Sequence, residues 1–250
     1  MMENGNTILL FDLDETLADS FQVVSQEMKE CLQMCMDKGY HIGMVSGSDV
    51  QKVEFQMKQD LFSKLEFAFC ENGTQVYQKG KLVHSECMLN YLNDAYLNEL
   101  FNYVLRYIAD LDIPKKRGCF IERRKSVINI SPIGRNCSES ERREFYDLDA
   151  RIKVRQKLRD DLTERFKDKE PKLRFSLGGK ISVDCFLDGW SKEFCVKFLS
   201  SYKTIHFFGD MTHPGGNDYE LFIHPRVIGH TVANYRDTME QLKALFLEKD

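Results

Sequence analysis

No run of apolar residues approaches the ~20 that a membrane-spanning helix needs, so a spanning protein is not expected. Only five prolines and one tryptophan occur in 250 residues, and there is no low-complexity tract, internal repeat or long linker. Disorder is therefore not expected either. Positive charge is not in excess: 35 Lys and Arg against 39 Asp and Glu leave a net charge of -4. That balance removes the global electrostatic case for nucleic acid or an acidic membrane as partner. The opening, Met1 to Thr7, is polar and acidic rather than basic and then apolar, so no signal peptide is expected. Eight cysteines are present, but none forms a C-x-x-C pair and the six histidines do not cluster with them, which leaves a zinc site poorly supported. Free thiols in a reducing cytoplasm are the expectation. What the chain does have is 42% hydrophobic, 12% aromatic and 30% charged residues, enough for one large domain or two modest ones.

The first third reads β-α-β. Thr7 to Leu13 is an apolar strand, and Leu17, Phe21, Val24, Met28, Leu32 and Met36 recur at helical spacing before a stop at Gly39. Ile42 to Val45 is a second strand, a helix follows from Asp49, and a strand over Phe67 to Cys70 precedes a hairpin at Lys79-Gly80. Short buried strands alternating with helices indicate a parallel sheet covered on both faces. The middle differs. A helix over Tyr91 to Asp112 is followed by two strand segments within Cys119 to Ile130 and a long charged helix from Ser138 to Lys167. Leu173 to Leu177 and Ile181 to Phe186 then flank Gly178-Gly179 as a hairpin. After Gly189 the β-α pattern returns, with a helix after Trp190, a strand over Thr204 to Phe208, a glycine-rich loop and a terminal helix to Lys249. The reading is an α/β fold: residues 1–86 and 189–250 form an interrupted parallel-sheet domain, and 87–188 form an inserted α+β domain on an antiparallel sheet.

Three strand ends carry acids or small hydroxyls. Phe11-Asp12-Leu13-Asp14-Glu15-Thr16-Leu17 runs a strand into two carboxylates one residue apart, at the end where open α/β sheets place ligands. One acid suffices for a helix cap; a second makes sense if a divalent cation offsets the charge. Val45-Ser46-Gly47-Ser48-Asp49 presents hydroxyls at a helix entry, where Ser48 can donate to a phosphate oxygen or serve as an ordinary cap. Phe207-Phe208-Gly209-Asp210, with Pro214-Gly215-Gly216-Asn217-Asp218 behind it, ends a third strand. Asp210 can complete an oxygen shell with Asp12, and Asp218 can bind or orient the metal's waters. Lys192 can neutralise a phosphorylated carboxylate, although a lone lysine is more often an exposed one. In the insert, Arg124, Arg135 and Arg142, with Ser182 and Asp184, suit phosphate and sugar hydroxyls. Alternation puts Arg123 and Arg124 on opposite faces, so only one of them faces a pocket.

Together these motifs resemble the four motifs of the haloacid dehalogenase superfamily. Within it, Ser48-Asp49 with Lys52-Val53-Glu54, Glu71-Asn72-Gly73, Ser131-Pro132-Ile133-Gly134-Arg135, Glu144-Phe145-Tyr146, Gly178 to Ser182, Asp188-Gly189-Trp190 and Phe207 to Asp218 resemble eukaryotic phosphomannomutase over almost the whole chain. The resemblance implies a Rossmann-like core, an α/β cap that closes over substrate, and a cap-to-cap homodimer. The implied reaction interconverts mannose 6-phosphate and mannose 1-phosphate and feeds GDP-mannose. By the same resemblance Asp12 is the nucleophile and Asp14 the general acid and base, with Ser48 and Lys192 supporting them. Mg2+ sits on Asp12, the Asp14 carbonyl and Asp210, with Asp218 beside it. Arg124, Arg135, Arg142, Ser182 and Asp184 hold the sugar and its distal phosphate, and glucose 1,6-bisphosphate or mannose 1,6-bisphosphate acts as activator and intermediate.

Four positions depart from that family. Glu15 stands where a glycine is normal, making the local field more negative. Phe21 stands where a substrate-contact arginine is normal, removing a positive contact. A second, structural cation uses an aspartate and a threonine in the family; here these positions are His224 and Val227, near Phe222, and that site is expected to be weak or absent. A Mg2+-dependent sugar-phosphate phosphatase would need the same Asp12, Asp14 and Asp210, and stays open as the alternative. A third reading, an inactive dimeric scaffold, is opposed by the intact Asp12, Asp14, Asp210 and Lys192.

Overall fold

The computed structural model describes residues 3–248. In chain order the first elements are β1 (Thr7–Phe11), α1 (Gln26–Asp37), β2 (His41–Val45), α2 (Val50–Phe62), β3 (Phe67–Cys70), β4 (Gln75–Gln78) and β5 (Lys81–Ser85). Next come α3 (Asp94–Asp110), β6 (Ile121–Arg123), β7 (Ile128–Ile130), α4 (Glu139–Ile152), α5 (Val154–Phe166), β8 (Leu173–Gly178) and β9 (Ser182–Leu187). A 3-10 segment Lys192–Phe198, β10 (Thr204–Gly209), α6 (Tyr219–Phe222), β11 (Val227–Thr231) and α7 (Tyr235–Leu242) complete it. The chain divides into two units, Met1–Ser85 with Gly189–Asp250, and Glu86–Asp188. Among the described residues no helix is long and apolar enough to cross a membrane.

The first unit is built on a seven-stranded sheet ordered β11-β10-β1-β2-β3-β4-β5, parallel from β11 to β3 and antiparallel beyond. β1 is apolar at every position from Ile8 to Phe11 because both of its faces are buried. Leu9 and Phe11 pack with Met28, Leu32, Met44 and Phe62 on one side, while Ile8 and Leu10 pack with Val45, Phe69, Ile205 and Phe207 on the other. Gly43 in β2 is required by a close approach: a Cβ there would lie 2.7 Å from Leu10 Cδ2. From β1 the chain steps to β2 and β3 in one direction, whereas β10 steps to β11 in the other. The crevice at such a reversal, at the carboxyl ends of the strands, is where this architecture binds ligands.

The second unit carries a four-stranded antiparallel sheet, β6-β7-β9-β8. Phe166 of α5 meets Tyr96 and Tyr103 of α3 and Phe175 of β8, which ties both helices to one face.

Three elements differ from the sequence expectation. The helix expected from Leu17 starts only at Gln26, because Glu15 and Phe21 adopt positive φ and the Ser25 side chain caps the Met28 N–H at 3.2 Å. The single charged helix expected from Ser138 to Lys167 is two, broken at Lys153, whose φ is 58°. Asp149 holds the corner by accepting from Arg155 N and Nε, both at 2.8 Å, and Arg155 Nη1 donates to Gly179 O at 2.6 Å. The helix after Trp190 is a 3-10 segment that begins at Lys192 itself. At the C-terminus α7 passes into a π-helical turn, Lys243–Leu247; Lys249, the expected helix end, lies outside the described residues.

Candidate active site

Asp12 follows β1 directly, and its N–H extends the sheet ladder to Phe208 O at 2.9 Å. Asp210 follows β10, the neighbouring strand. Asp218 arrives by the loop 211–217 and is held by the Met211 N–H, which donates to its Oδ2 at 3.0 Å. One oxygen from each of Asp12, Asp210 and Asp218 lies within 4.8 Å of the others. Gly209 makes room for this cluster, since a Cβ there would sit 2.7 Å from Asp218 Oδ2.

Lys192 is the counter-charge. Only 1% exposed, it donates to Asp12 Oδ1 at 2.5 Å and to Asp218 Oδ1 at 2.7 Å. Its pKa is raised even though burial works against the charged form, because Asp12 and Asp218 stabilise the ammonium. Burial raises the Asp12 pKa well above the usual carboxylate range; Lys192 opposes the shift, and Asp218 and Asp210 reinforce it. Asp210 is pushed up to about 6, by burial first and then by Asp218. Three carboxylates thus face one ammonium, and full ionisation leaves two negative charges uncompensated. A divalent cation meets that deficit, and the donors are hard oxygens of the kind magnesium takes. A further buried oxygen without a hydrogen-bond partner, Asn217 Oδ1, adjoins Asp218 in the chain.

Asp14 lies apart from the cluster. Lys52 Nζ pairs with its Oδ2, and Gln56 Nε2 donates to its Oδ1 at 3.2 Å. Ser48 is buried at the entry to α2, where its Oγ accepts from Lys52 Nζ at 3.1 Å. The sequence reading assigned no role to Lys52 or Gln56. Their spacing of four on the helix opened by Asp49 was the available signal, because it places both on one face.

In the second unit the register aligns Glu122, Asn129, Asp184 and Ser176 across the sheet. Arg124 donates to Glu122 Oε2 from Nε at 3.0 Å and from Nη2 at 2.8 Å. Arg135 Nη1 donates to Asn129 Oδ1 at 2.9 Å, and its Nε lies 3.1 Å from Glu122 Oε2. Asn129 Nδ2 in turn donates to Asp184 Oδ1 at 2.6 Å. Ser182 is buried two residues before Asp184, on the same face. Arg142 sits in the first turn of α4, 3.9 Å from Glu139 Oε2. Arg123 is exposed and turned from this row, donating to the Arg124 carbonyl at 3.2 Å. Glu122 and Asn129 were missed by the sequence reading, although an Asn between Ile128 and Ile130 in a buried strand is a visible polar interruption. At the residues where the resemblance expects a second cation to be missing, His224 Nδ1 accepts from Arg226 N at 3.2 Å, and Val227 N donates to His224 O at 2.9 Å.

A family model described as eukaryotic phosphomannomutase matches residues 28–248. A phosphomannomutase of Babesia bovis is 45% identical over 238 residues, covering 95% of this chain and 97% of that one. The chain belongs to the eukaryotic phosphomannomutase family. The phosphomannomutase of Galdieria sulphuraria, 45% identical over 246 residues, covers 98% of this chain and 97% of its own. That of Schizosaccharomyces pombe, 45% identical over 245, covers 96% and 94%. Solved structures with the same fold include a Plasmodium falciparum IMP-nucleotidase (TM-score 0.63, 16% identity, 97% of this chain and 68% of that chain). The C-terminal domain of Candida albicans trehalose-6-phosphate phosphatase matches at TM-score 0.61 and 15% identity, over 97% and 92%. At such identities they show the fold alone.

Proposed function

We propose that this phosphomannomutase-family enzyme interconverts mannose 6-phosphate and mannose 1-phosphate through an aspartyl phosphate on Asp12 and a hexose 1,6-bisphosphate. The observation that carries the reading is 45% identity over nearly the full length of both chains to proteins named phosphomannomutase. In the first half-reaction Asp12 already carries a phosphoryl group; Asp14 takes the proton of the free hydroxyl of the hexose monophosphate as that oxygen takes the phosphoryl group from Asp12, giving the hexose 1,6-bisphosphate. In the second, with the bisphosphate turned end for end, the Asp12 carboxylate attacks the phosphorus at the other end, that sugar oxygen leaves, and Asp14 returns the proton to it, so that Asp12 is phosphorylated again and the other monophosphate is released. Lys192, already on Asp12, holds the carboxylate oriented and offsets its charge. Asp12, Asp210 and Asp218, with the Asp14 carbonyl, would hold Mg2+, which when bound supplies charge neutralisation for the transferring phosphoryl oxygens. Ser48 would donate to the same phosphoryl group. Arg124, Arg135, Arg142, Ser182 and Asp184 would grip the sugar and the phosphate that is not in flight; their pre-formed network supports this role, since arginine forks match phosphate oxygens.

On this reading the enzyme works in the cytoplasm as a homodimer through residues 87–188 and supplies GDP-mannose synthesis, with glucose or mannose 1,6-bisphosphate as activator. Its eight cysteines are all unpaired, which suits a reducing compartment. The test supplies Mg2+, a trace of glucose 1,6-bisphosphate and mannose 1-phosphate, and follows mannose 6-phosphate and inorganic phosphate together. Isomer forming well ahead of phosphate is the expected result. Phosphate without isomer would replace the mutase by a sugar-phosphate phosphatase.

A further inference from the structure

Asp14 is held by both of its oxygens, and both restraints come from one helix. Lys52 and Gln56, four apart on α2, take Oδ2 and Oδ1 respectively. Each of these side chains is itself fixed. Lys52 Nζ also donates to Ser48 Oγ at 3.1 Å and stands 4.3 Å from the centroid of the Phe21 ring. Gln56 is fully buried and donates a second bond, at 3.1 Å, to the Gln22 carbonyl. The loop carrying Gln22 is tied back in turn, because Val24 N donates to Gln56 O at 2.8 Å. A carboxylate restrained at both oxygens by groups that have their own anchors does not rotate freely about its last bond.

We propose that Lys52 and Gln56 are positioning residues that fix the plane of the Asp14 carboxylate for proton exchange with the sugar hydroxyls, with Phe21 covering Lys52 so that water does not compete for its ammonium. The inference rests on the reading of Asp14 as proton carrier. It explains why one carboxylate can serve two half-reactions. The sugar must turn end for end between them, so the proton acceptor has to stand in the same place both times. In each case the proton moves between the sugar oxygen and Asp14 while the phosphorus bond exchanges between that oxygen and Asp12, and nothing else is consumed. Lys52 acts through Asp14 and needs no contact with substrate.

Lys52→Met and Lys52→Arg are compared with the wild-type enzyme in the isomerisation of mannose 1-phosphate, at saturating glucose 1,6-bisphosphate and Mg2+, in H2O and in D2O. For Lys52→Met the expected loss is about 10²-fold in kcat, the scale of a catalytic group displaced by about 1 Å. KM stays within about threefold, since no substrate contact is removed. The solvent isotope effect on kcat rises above the wild-type value as proton transfer becomes limiting, and Lys52→Arg recovers much of the rate. A raised KM with unchanged kcat would make Lys52 a substrate contact and overturn the proposal, as would equal kcat in all three proteins or an unchanged isotope effect. Should Lys52→Met fail to fold, Gln56→Met is measured in the same way, and wild-type kcat in it is the overturning result. A wild-type enzyme that turns over no mannose 1-phosphate overturns the mutase reading and this inference with it; an active wild type beside an equally active Lys52→Met overturns the inference alone.

Discussion

Lys192→Met is the sharpest perturbation of the acid cluster. The two side chains are close in length, so the change removes charge with little loss of packing. What remains is Asp218 with no exposure and Asp12 with 5%, both facing Asp210 without their ammonium. Breaking a buried ion pair by removing one partner costs about 3–5 kcal/mol. At about 2–4 °C per kcal/mol for a domain of this size, the melting temperature of the first unit should fall by about 6–20 °C at pH 8 without divalent cation. The sign of the pH dependence follows from Asp12, whose folded pKa is already raised by burial and rises further once Lys192 is gone. A carboxyl raised in the folded state binds more protons folded than unfolded between the two pKa values, so the variant loses stability as pH rises above ~4. The deficit should therefore shrink at pH 5.5, and shrink again on adding Mg2+ at pH 8, more than Mg2+ stabilises the wild type. Turnover should fall by at least about 10²-fold, as when a charge-stabilising donor is removed. Thermal scans at both pH values, with and without Mg2+, check the whole chain of reasoning. A melting temperature within about 2 °C of wild type at pH 8 without Mg2+ would refute it.

Gly178→Ala should misplace Asp184, because the new Cβ would lie 2.4 Å from its Oδ2; overpacking of this kind costs about 1–3 kcal/mol, and the kinetic signature is a raised KM for mannose 1-phosphate. His206 and His230 share a 2.9 Å hydrogen bond between neutral rings, and His206 is depressed to about 4 by burial and by its neighbour. Their stabilising effect is complete above the unfolded pKa of ~6.5 and is lost as pH falls toward 4, by about 1–2 kcal/mol after allowance for solvent screening at half-exposed rings; His206→Phe should flatten the melting temperature between pH 6.5 and 4.5, and an unchanged slope would count against it. Calorimetric titration with Mg2+ should give one cation per chain, lost in Asp210→Asn; two cations per chain would show that His224 and Val227 do not abolish the second family site.

The parts of the fold that could be read from sequence are those in which one period dominates. β1, β2, β3 and β10 are short apolar runs because both faces are buried, and the two hairpins are marked by Gly80 and Gly179, which take positive φ. The late start of α1 was hidden because Leu17, Phe21 and Val24 keep helical spacing while lying in a loop whose φ values at Glu15 and Phe21 forbid a helix. The break at Lys153 carried no glycine or proline; it is fixed by the Asp149–Arg155 pair, whose six-residue separation has no meaning until the corner exists. At the site, Asp12, Asp210 and Ser48 were legible as strand ends. That Lys192 is buried between two acids was not, because the lysine and Asp218 meet only through tertiary structure. Lys52, although within a motif of the family resemblance, and Gln56 had no role assigned from sequence, because only the fold brings Asp14 to them.

The position of β1 between β2 and β10 has a consequence for synthesis. One edge of β1 can pair as soon as β2 leaves the ribosome, but the strand for its other edge begins at Thr204. At about 5–20 residues per second, that partner emerges roughly 8–33 s later. Throughout that interval the most apolar strand of the chain offers unpaired backbone groups to anything nearby. The intervening unit, Glu86–Asp188, is contiguous in sequence and has no such wait. Nascent chains that end anywhere between β2 and Thr204 thus carry this edge unpaired, and β10 is the segment whose synthesis closes it.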